Sequence, residues 1–345
     1  METVWGAKEV IPRRFFGKKN KKPVTSAKPV PKHLPLLSDG PPVSMFAGDD
    51  TALPATSTTQ PGGPMPVAIL KKRRLIPGQT SELTLDASHI ARKARPGNFV
   101  ILRVSEKGER IPLTIADTDP QAGTITIVYL VVGKSTAELE TLEEGDSILD
   151  VCGPLGKPTH IEPCGTVVCV GGGTGIAAMH HIAKGHKAAG NRVITVIGSR
   201  CEDLLLFKEE LSMFADEVVV TTNDGSCGMQ GFVTDGLRMV LDREPSVGEV
   251  VAIGPVPMME AVANLTRPYN VKTTVSLNSI MIDGIGMCGA CRVVVGGEVK
   301  FACVDGPEFD GHQVDFARMR QRLSAFKPQE ELSWAEFRRL REQEA

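Results

Sequence analysis

The sequence predicts an antiparallel β-barrel, followed by a doubly wound α/β domain with a parallel sheet and a small cysteine-rich domain. Short runs rich in Val, Ile, Thr and Leu, separated by Gly, Pro or Asp, recur from residue 67 to residue 154, as in barrels of antiparallel strands. From residue 165 to residue 255, unbroken apolar strands alternate with helical patterns, which is typical of a parallel sheet. Three of the eight cysteines then lie between residues 288 and 303.

Composition excludes several classes of protein. At 345 residues the chain is longer than one typical domain, and its hydrophobic content of 41% and charged content of 23% are typical of a globular protein. The net charge of -2 gives no attraction to nucleic acid, and no apolar run reaches the roughly 18 residues of a membrane span. We therefore expect neither a nucleic-acid partner nor membrane insertion. All eight cysteines follow residue 151, in a pattern unlike a secreted disulfide framework, so we expect a cytoplasmic protein.

Residues 1–65 differ in composition from the rest of the chain. They are basic and rich in proline, with runs such as "KPVPKHLPLL" and "PATSTTQPGGP", and they offer little apolar surface to bury. We therefore predict a largely disordered extension. It is interpreted as a solvated tail or, because "VIPRRFFG" places two aromatic residues among charges, as an arm that docks on a partner subunit. A transit peptide is a weaker alternative, given Glu2 and Glu9.

The predicted barrel covers residues 66–160. Its candidate strands are "VAILKKRRLI", "SELTLDA", "NFVILRVS", "RIPLTIAD", "TITIVYLVV" and "DSILDVCGP". Turn-forming residues bound these runs, and apolar side chains alternate with polar ones along them. The alternation indicates strands with one face in a core.

The predicted parallel-sheet domain covers residues 161–274. Its candidate strands are "GTVVCVGGG", "NRVITVIGS", "DEVVVTTND" and "EVVAIGP". Helices are predicted between them, at residues 174–190, 201–215 and 232–241. This order of elements is the β-α-β alternation of a doubly wound sheet.

A glycine-rich turn joins the first of these strands to its helix. In "VVCVGGGTGIAAM", Gly173, Gly175 and Ala178 fit the G-x-G-x-x-A pattern. Glycine is required where the backbone turns sharply and where a pyrophosphate approaches the amides at a helix N-terminus. The pattern in this context predicts a dinucleotide site, and the alternative is a tight turn without a ligand. The predicted contact residues of the turn are Gly171, Gly172, Gly173, Thr174 and Gly175.

The next strand ends in "GSRCED", where such folds meet the adenosine ribose. Ser199 and Arg200 can hold a 2'-phosphate. Glu202 or Asp203 can instead bond the free 2'-hydroxyl and repel the phosphate. Because both kinds of charge are present, these residues do not choose between NAD(H) and NADP(H).

A barrel followed by a nucleotide domain resembles the ferredoxin-reductase superfamily of flavoproteins, over about residues 66–312. "ERIPLTI" is similar to the R-x-P-hydrophobic-S/T flavin motif of that family. The resemblance implies that Arg110 lies near the FAD pyrophosphate and that Pro112 and Leu113 pack on the flavin. It also implies that Thr114 can hydrogen-bond near the redox-active ring nitrogen, which makes Thr114 the candidate catalytic residue.

Further segments resemble the same family, in the same order along the chain. "VVGKSTAEL" is similar to the segment that holds the FAD diphosphate, and "CGPLGKP" is similar to the loop that leads out of the barrel. "DGSCGMQGFVTD" and "IGPVPMM" resemble later loops of the nucleotide domain, the second of them near the nicotinamide. The cofactor-binding residues that these resemblances imply are Gly133, Ser135, Thr136, Gly153, Gly156, Asp224, Gly225, Gly254, Pro255 and Met258. Ile253 stands where many relatives have a cysteine, so no thiol assists hydride transfer from that position.

The clustered cysteines follow the spacing of a plant-type [2Fe-2S] site, C-x4-C-x2-C with a distant fourth ligand. Here the order is Asp283, Cys288, Cys291 and Cys303, so an aspartate takes the first position. A carboxylate can complete an iron site and shift its potential. Zinc is the alternative metal, although a zinc ribbon normally shows two Cys-x2-Cys pairs and only one is present. The predicted cluster domain covers residues 275–312, and helices are predicted over residues 313–345.

Two branches of the superfamily resemble this stretch. The electron-transfer subunit of dihydroorotate dehydrogenase has cysteine at the first ligand position. The small subunit of NADH-dependent ferredoxin:NADP oxidoreductase is more similar, with aspartate in that position and the text "GMCGACRV". This resemblance implies NAD(H) as the preferred nucleotide, with FAD and a [2Fe-2S] cluster as cofactors. It also implies a heterodimer with a larger flavin/iron–sulfur subunit, and only an indirect connection to ferredoxin.

The resemblance, together with these patterns, implies a redox subunit of a bifurcating oxidoreductase, which passes electrons between a nicotinamide nucleotide, FAD, the cluster and the partner. The alternatives are the electron-transfer subunit of dihydroorotate dehydrogenase and that of a sulfide dehydrogenase or hydrogenase. A non-catalytic docking protein that retains the fold is a different class, and the intact motifs argue against it.

The remaining cysteines and histidines receive no special role. Cys152, Cys164 and Cys169 lie in or beside apolar strands, where cysteine behaves as a small hydrophobic residue. His180 and His181 follow the glycine-rich turn and are interpreted as helix residues and not as ligands.

Overall fold

The computed structural model of the chain describes residues 66–344. The extension predicted over residues 1–65, with its candidate docking arm, lies outside the described residues. Two seven-stranded sheets and one two-stranded hairpin make up the strands of the described part. Among the helices of residues 66–344, none has the length and apolar character needed to cross a membrane.

The first sheet is antiparallel and forms a nearly closed barrel. Apolar residues alternate along its strands, as at the buried Leu83, Leu85, Ile125 and Ile127, so one face encloses a core. Its elements are β1 (Val67–Ile76), β2 (Thr80–Asp86), α1 (Ser88–Ala91), β3 (Phe99–Arg103), β4 (Ile111–Asp119), β5 (Thr124–Leu130), α2 (Lys134–Glu140), β6 (Ser147–Ile148) and β7 (Asp150–Leu155). Neighbouring strands follow the order β6-β1-β2-β5-β4-β3-β7. The predicted barrel is confirmed.

The second sheet is mostly parallel. Its elements are β8 (Thr166–Gly172), α3 (Gly175–Ala188), β9 (Arg192–Ser199), α4 (Lys208–Ser212), β10 (Glu217–Thr222), β11 (Met229–Gln230), α5 (Val233–Arg243), β12 (Val247–Ile253), α6 (Val256–Thr266) and β13 (Lys272–Ser276). Val168 and Val170 of β8 pack with α5 and α6, whereas Val167 and Cys169 pack with α3 on the other face. The predicted doubly wound sheet is thus confirmed. The strand order β11-β10-β9-β8-β12-β13 reverses direction between β8 and β12, which opens a crevice at the carboxyl ends of these strands.

The single helix predicted over residues 201–215 is wrong. A 3-10 turn over Glu202–Leu204 and the short helix α4 stand in its place. Leu205 is extended, and Phe207 has a φ of 58°, outside the right-handed helical region. Leu206 and Phe207 are both buried in the core beneath the sheet. The left-handed backbone of Phe207 cannot continue a right-handed helix, so it separates the 3-10 turn from α4.

The C-terminal part shares a sheet with the domain before it. It contains β14 (Arg292–Val295), β15 (Glu298–Phe301), α7 (Ala302–Asp305), β16 (Glu308–Asp310), α8 (Phe316–Leu323) and α9 (Lys327–Glu344). Strands β14 and β15 form a hairpin, whereas β16 pairs antiparallel with β13 at the edge of the parallel sheet. The domain boundary predicted between residues 274 and 275 therefore lies within strand β13.

Candidate functional site

A cleft of about 580 Å³ separates the barrel from the parallel sheet. Pro112, Leu113 and Thr114 of β4 line its barrel side. Its opposite side is formed by the turn after β8 and the loop after β12, namely Gly172, Gly173, Thr174, Gly175, Gly254 and Pro255. The cleft therefore brings together the residues expected at a flavin and those expected at a nicotinamide.

Strand β4 changes its pairing where it meets this cleft. Pro112, Leu113 and Thr114 pair with β3, whereas β5 pairs with β4 from Ile115 onward. A bulge between Ile115 and Asp117 accompanies the change and bends the strand. Proline has no N–H and is tolerated where a strand lacks a second neighbour. The backbone of residues 112–114 thus pairs with a single strand of the described chain and borders the cleft.

Close packing explains the glycines of the turn after β8. A Cβ on Gly175 would lie 2.4 Å from the carbonyl oxygen of Ile253, and one on Gly171 would lie 3.0 Å from the Cα of Ile176. Gly173 has a φ of +56°, in the left-handed region that favours glycine. Gly171 packs beneath the turn and does not line the cleft, whereas Gly173 and Gly175 do. Helix α3 begins at Gly175, so its N-terminal amides lie at the cleft, as an anionic group requires.

A second cleft, of about 360 Å³, adjoins the first at the glycine-rich turn and extends along the ends of β9 and β10. Ser199, Arg200 and Met258 line it. Glu202 and Asp203 are exposed and do not line it. The structure therefore brings the candidate 2'-phosphate residues to the cleft and leaves the candidate ribose carboxylates outside.

Asp224 and Gly225 lie outside both clefts, in the turn after β10. The Asp224 carboxylate accepts hydrogen bonds from the N–H and the hydroxyl of Ser226, at 3.0 and 2.7 Å, and these bonds lower its pKa. Gly225 has a φ of +77° and allows the turn. These contacts give both residues a role in shaping the loop beside the second cleft.

Gly153 and Gly156 also lie outside the clefts, behind the barrel wall. A Cβ on Gly153 would lie 2.8 Å from the side chain of Val100. A Cβ on Gly156 would lie 2.7 Å from the ring of Phe99, which lines the first cleft. The two glycines therefore allow close packing that supports the cleft from outside.

The predicted diphosphate residues form a separate group beside Arg110. Ser135 Oγ donates a hydrogen bond to Glu109 Oε2 at 3.0 Å, which places the start of α2 next to the exposed Arg110. Thr136 Oγ1 accepts the N–H of Gly133 at 3.2 Å and fixes the turn before the helix. Gly133, Ser135 and Thr136 thus lie at the start of α2, which Glu109 connects to the beginning of the flavin motif, apart from both clefts.

The four predicted metal ligands lie in the loop after β13 and at α7. Cys291 and Cys303 are buried, and their sulfur atoms are 3.2 Å apart. Asp283 lies beside Cys288: the N–H of Cys288 donates to Asp283 Oδ2, and the N–H of Ile285 donates to Oδ1 at 2.9 Å. Partial burial raises the pKa of Asp283, but these N–H groups outweigh it and lower the pKa. Direct ligation by Asp283 stays a prediction.

Backbone N–H groups face two of the cysteine sulfurs, which fits an iron–sulfur cluster. The N–H of Ala290 donates to Cys288 Sγ at 3.5 Å, and the backbone N–H of Gly286 lowers the pKa of Cys303. Such bonds stabilise thiolates around a cluster. Burial and the adjacent Cys291 raise the pKa of the free Cys303 thiol to about 12, so binding of metal has to drive its ionisation.

The predicted ligands are not gathered at a single point. Within residues 66–344, no three His, Cys, Asp or Glu side chains converge tightly enough to hold one ion. Asp283 accepts the backbone N–H of Cys288, and the sulfurs of Cys291 and Cys303 lie together. A binuclear cluster takes two protein ligands on each iron, whereas the four ligands of a zinc site meet at one point.

The segment that connects the first cleft to the ligand loop carries no motif. Leu277, Asn278, Ser279 and Met281 line the cleft, and Met281 precedes Asp283 by two residues. The segment follows the carboxyl end of β13, at the edge of the sheet where ligands bind in such folds. The order of the strands in the sheet could have identified this segment, because the carboxyl ends of neighbouring parallel strands lie at the same edge. Other cleft residues without a sequence signal are Phe99, Asn223, Phe232 and Pro307.

The C-terminal part of the chain is similar to a known domain. Residues 278–315 match the family model of the iron-sulfur cluster binding domain of dihydroorotate dehydrogenase B. All four predicted metal ligands lie within this match. The predicted ligands therefore lie within a domain that is similar to known iron–sulfur cluster binding domains.

Relatives extend the similarity over most of the chain. The dihydroorotate dehydrogenase B (NAD(+)) electron transfer subunit homolog of Thermotoga maritima is 47% identical over 276 residues, which are 80% of this chain and 97% of that protein. The electron transfer subunit of Bacillus caldolyticus is 36% identical over 251 residues, which are 70% of this chain and 95% of that protein.

Solved structures show the same fold. A structure of the NADH-dependent reduced ferredoxin-NADP oxidoreductase, determined for insight into flavin-based electron bifurcation, contains a chain that is 46% identical with a TM-score of 0.75. The match covers 80% of this chain and 99% of that one. The ferredoxin reductase in carbazole 1,9a-dioxygenase is 20% identical with a TM-score of 0.52, over 60% of this chain and 66% of that one, and shares the fold alone.

Proposed function

Since the chain belongs to the family of the dihydroorotate dehydrogenase B electron transfer subunits, we propose that it passes electrons between a nicotinamide nucleotide, FAD and a [2Fe-2S] cluster. The observation that carries the proposal is the first cleft. One wall holds the flavin motif, the other holds the glycine-rich turn, and the segment that closes it continues into the ligand loop. Each site is thus adjacent to the next along the order in which electrons would move.

The chain's own residues position the reacting groups. FAD bound in this cleft would supply the conversion between two-electron and one-electron transfer, because nicotinamides transfer two electrons at once and iron–sulfur clusters transfer one. Pro112 and Leu113 offer the flavin an apolar surface, and the Thr114 hydroxyl offers a hydrogen bond at its reactive edge. Gly254 and Pro255 line the facing wall and would hold the nicotinamide there. Arg110 and the start of α2 would neutralise the diphosphate.

The ligand loop holds the cluster through its two pairs of donors. Asp283 and Cys288 would bind one iron, and Cys291 and Cys303 would bind the other. The exposed Cys288 places its pair toward the protein surface, whereas the other pair is buried. Electrons therefore have a route from the cleft to the surface of the chain.

NAD(H) is the proposed nucleotide, because the names of the relatives include NAD(+) or NADH. NADP(H) is the alternative, since Arg200 lines the second cleft while Glu202 and Asp203 do not. Comparison of kcat/KM for NADH and NADPH with an artificial acceptor tests the choice. A tenfold preference for NADPH, about 1.4 kcal/mol of transition-state discrimination, would reverse it.

The proposed partner is a larger flavin/iron–sulfur subunit in a heterodimer, as the similarity to the NADH-dependent oxidoreductase suggests. Exposed apolar side chains surround the ligand loop: Ile282, Ile285, Met287 and Val304 are 49%, 55%, 80% and 38% exposed. Apolar patches of this kind mark protein interfaces. Ferredoxin would then react with the partner. A dihydroorotate dehydrogenase catalytic subunit is the alternative partner, favoured by the names of the curated relatives.

Anaerobic purification of the full chain tests the proposed function. We expect one FAD, one [2Fe-2S] cluster with acid-labile sulfide, and reduction of the flavin by NADH. Zinc in place of iron and sulfide would contradict the cluster. A colourless protein that does not react with NADH would indicate a docking protein that retains the fold. The native partner, identified after co-purification, distinguishes the two oxidoreductases.

A further inference from the structure

We propose that His180 and His181 are positioning residues that fix the distance between the flavin motif and the glycine-rich turn, and thereby the approach of the nicotinamide to the flavin. The inference rests on the proposed function and deepens it. Neither histidine lines the cleft. Both act through strand β4, to which they bind.

The two histidines connect helix α3 to strand β4. His181 Nδ1 lies 3.1 Å from the carbonyl oxygen of Ile115, and His180 Nδ1 lies 3.5 Å from that of Ala116. Each histidine is 6% exposed. Because a carbonyl oxygen only accepts hydrogen bonds, the ring N–H groups are the donors. Two consecutive residues of one helix thus hold two consecutive carbonyls of one strand.

The bound carbonyls lie at the bulge of β4. Ile115 and Asp117 have partners on β5, whereas Ala116, between them, has none. At a bulge the extra residue leaves the ladder, so its carbonyl needs a partner elsewhere. Thr114 comes directly before the bulge, and both Thr114 and Ala116 line the cleft. The histidines therefore hold the part of β4 that carries the candidate catalytic residue.

Helix α3, which carries the two histidines, forms part of the cleft wall that faces strand β4. Helix α3 begins at Gly175 in the glycine-rich turn, and Ala177 and Ala178 also line the cleft. The histidines follow Ala178 by two and three residues, less than one helical turn of about 3.6 residues and too short a distance for the helix to bend appreciably. One turn farther on, Lys184 Nζ pairs with Asp117 Oδ2 at 2.7 Å and closes the connection at the surface. A change in the histidine contacts would thus move one wall relative to the other.

The surroundings favour uncharged rings. His180 packs against the rings of Phe207 and Phe214, with centroids 5.2 and 5.5 Å away. Burial lowers the pKa of both histidines. Asp117 and Lys184 are the charged groups facing the pair; Asp117 raises the pKa of both histidines and Lys184 lowers it, and burial has the larger effect. Neutral rings with a single N–H each keep one hydrogen-bond direction, which is what a positioning role requires.

Three substitutions at His181 test the role in the full-length protein loaded with FAD and cluster. His181→Leu removes the donor, His181→Asn keeps a donor near the position of Nδ1, and His181→Gln places it farther from the backbone. His186→Leu is the matched control, because His186 is fully buried on the same helix but its ring faces Asn191, at 3.4 Å, and not β4.

We expect His181→Leu to slow flavin reduction at saturating NADH by tenfold or more, since misplacement of reacting groups by about 1 Å can cost roughly 100-fold. The long-wavelength charge-transfer absorbance of the flavin–nicotinamide complex should weaken in parallel, while FAD content and NADH affinity stay unchanged. His181→Asn should restore both signals, and His181→Gln should give intermediate values.

An unchanged rate and absorbance in His181→Leu would overturn the inference. So would an equal loss in His186→Leu, because that result would assign the effect to general destabilisation. If His181→Leu does not fold, His181→Gln with wild-type rate and absorbance would overturn it as well. Absence of FAD, or of reduction by NADH, in the unsubstituted protein would instead contradict the proposed function, and this is measured first.

Discussion

The carboxylate of Asp283 already accepts two N–H groups of the loop that it begins, and this leaves its role toward iron open to a direct test. Replacement by cysteine should preserve the cluster and lower its reduction potential, because a thiolate donates more electron density to iron than the harder carboxylate does. Asp283→Ala should give a labile or absent cluster. Redox titration followed by electron paramagnetic resonance measures both outcomes.

Asp305→Asn is the control for Asp283. The Asp305 carboxylate accepts the N–H of Phe301 at 2.8 Å in the same domain, and its substitution should leave the potential close to that of the unsubstituted protein. A wild-type spectrum and potential in Asp283→Ala would show that the aspartate only shapes the loop.

Substitution of Arg110 tests whether this residue binds the diphosphate of FAD. Arg110→Ala should weaken FAD binding by about 1.5–3 kcal/mol, because a charge-assisted hydrogen bond to phosphate is lost. Flavin titration of the apoprotein measures the affinity. Arg103→Ala, which removes an arginine of the same barrel that is paired with Asp150, should change FAD affinity little. An unchanged FAD content in Arg110→Ala would count against the assignment of the barrel.

Single residues could be predicted where chemistry demands a particular side chain or its absence. Pro112, Thr114 and Gly173 belong to patterns that few other sequences satisfy, and the structure brings them to one cleft. Asn278 and Met281 belong to no such pattern. Their position depends on the neighbours of β13, which are set by long-range strand order and not by local sequence.

The junction of β16 with the linker after the barrel gives a pH-dependent prediction. Glu308 Oε1 accepts a hydrogen bond from Thr159 Oγ1 at 2.7 Å, and burial of the carboxyl raises its pKa from 4.5 to about 7. Between these values the folded state binds more protons than the unfolded state, so the free energy of unfolding falls as pH rises. The loss, on the order of 3 kcal/mol, should be complete above about pH 7.

Glu308→Gln should flatten this pH dependence, because an amide carries no charge at either pH. Thermal unfolding of both proteins between pH 5 and pH 8 provides the comparison. Glu298→Gln, at an exposed position of β15, should retain the pH dependence of the unsubstituted protein. A slope in Glu308→Gln equal to that of the parent would assign the effect to other groups.

Helices and strands could be predicted where one periodicity runs without interruption. The barrel strands alternate and the four predicted strands of the parallel sheet are mainly apolar, so they were identified, whereas the short β11 and the polar β13 were not. The single helix predicted over residues 201–215 does not form, because Leu206 and Phe207 of its apolar run are buried in the tertiary core. Local helix preference is too weak to compete with that burial.

The protein is proposed to deliver electrons to a partner subunit. The exposed apolar side chains around the ligand loop predict that the partner binds there. Met287→Asp should weaken the complex with the partner subunit, because it places a charge in an interface that excludes water. FAD, cluster and reaction with an artificial acceptor should be retained. Pull-down of the partner and isothermal titration measure the affinity.

Met213→Asp is the matched control for this surface. Met213 is 79% exposed, against 80% for Met287, but it lies beyond α4 in the nucleotide domain. Its substitution should leave the affinity for the partner unchanged. Equal affinities of the two variants would exclude the ligand loop as the central contact.

Strand β16 joins the cluster-bearing segment to the sheet that holds the nucleotide, through the pairing of Val275 with Phe309 and its neighbours. The iron–sulfur group is therefore not carried on a swinging arm, as in proteins that ferry electrons by domain rotation. Electron transfer within the chain should depend on distance and driving force alone, and its rate should not change when glycerol or sucrose raises solvent viscosity. Transfer to a freely diffusing artificial acceptor should slow in the same solutions. Rapid-mixing experiments across a viscosity series would separate the two steps and show that this protein works as a fixed relay.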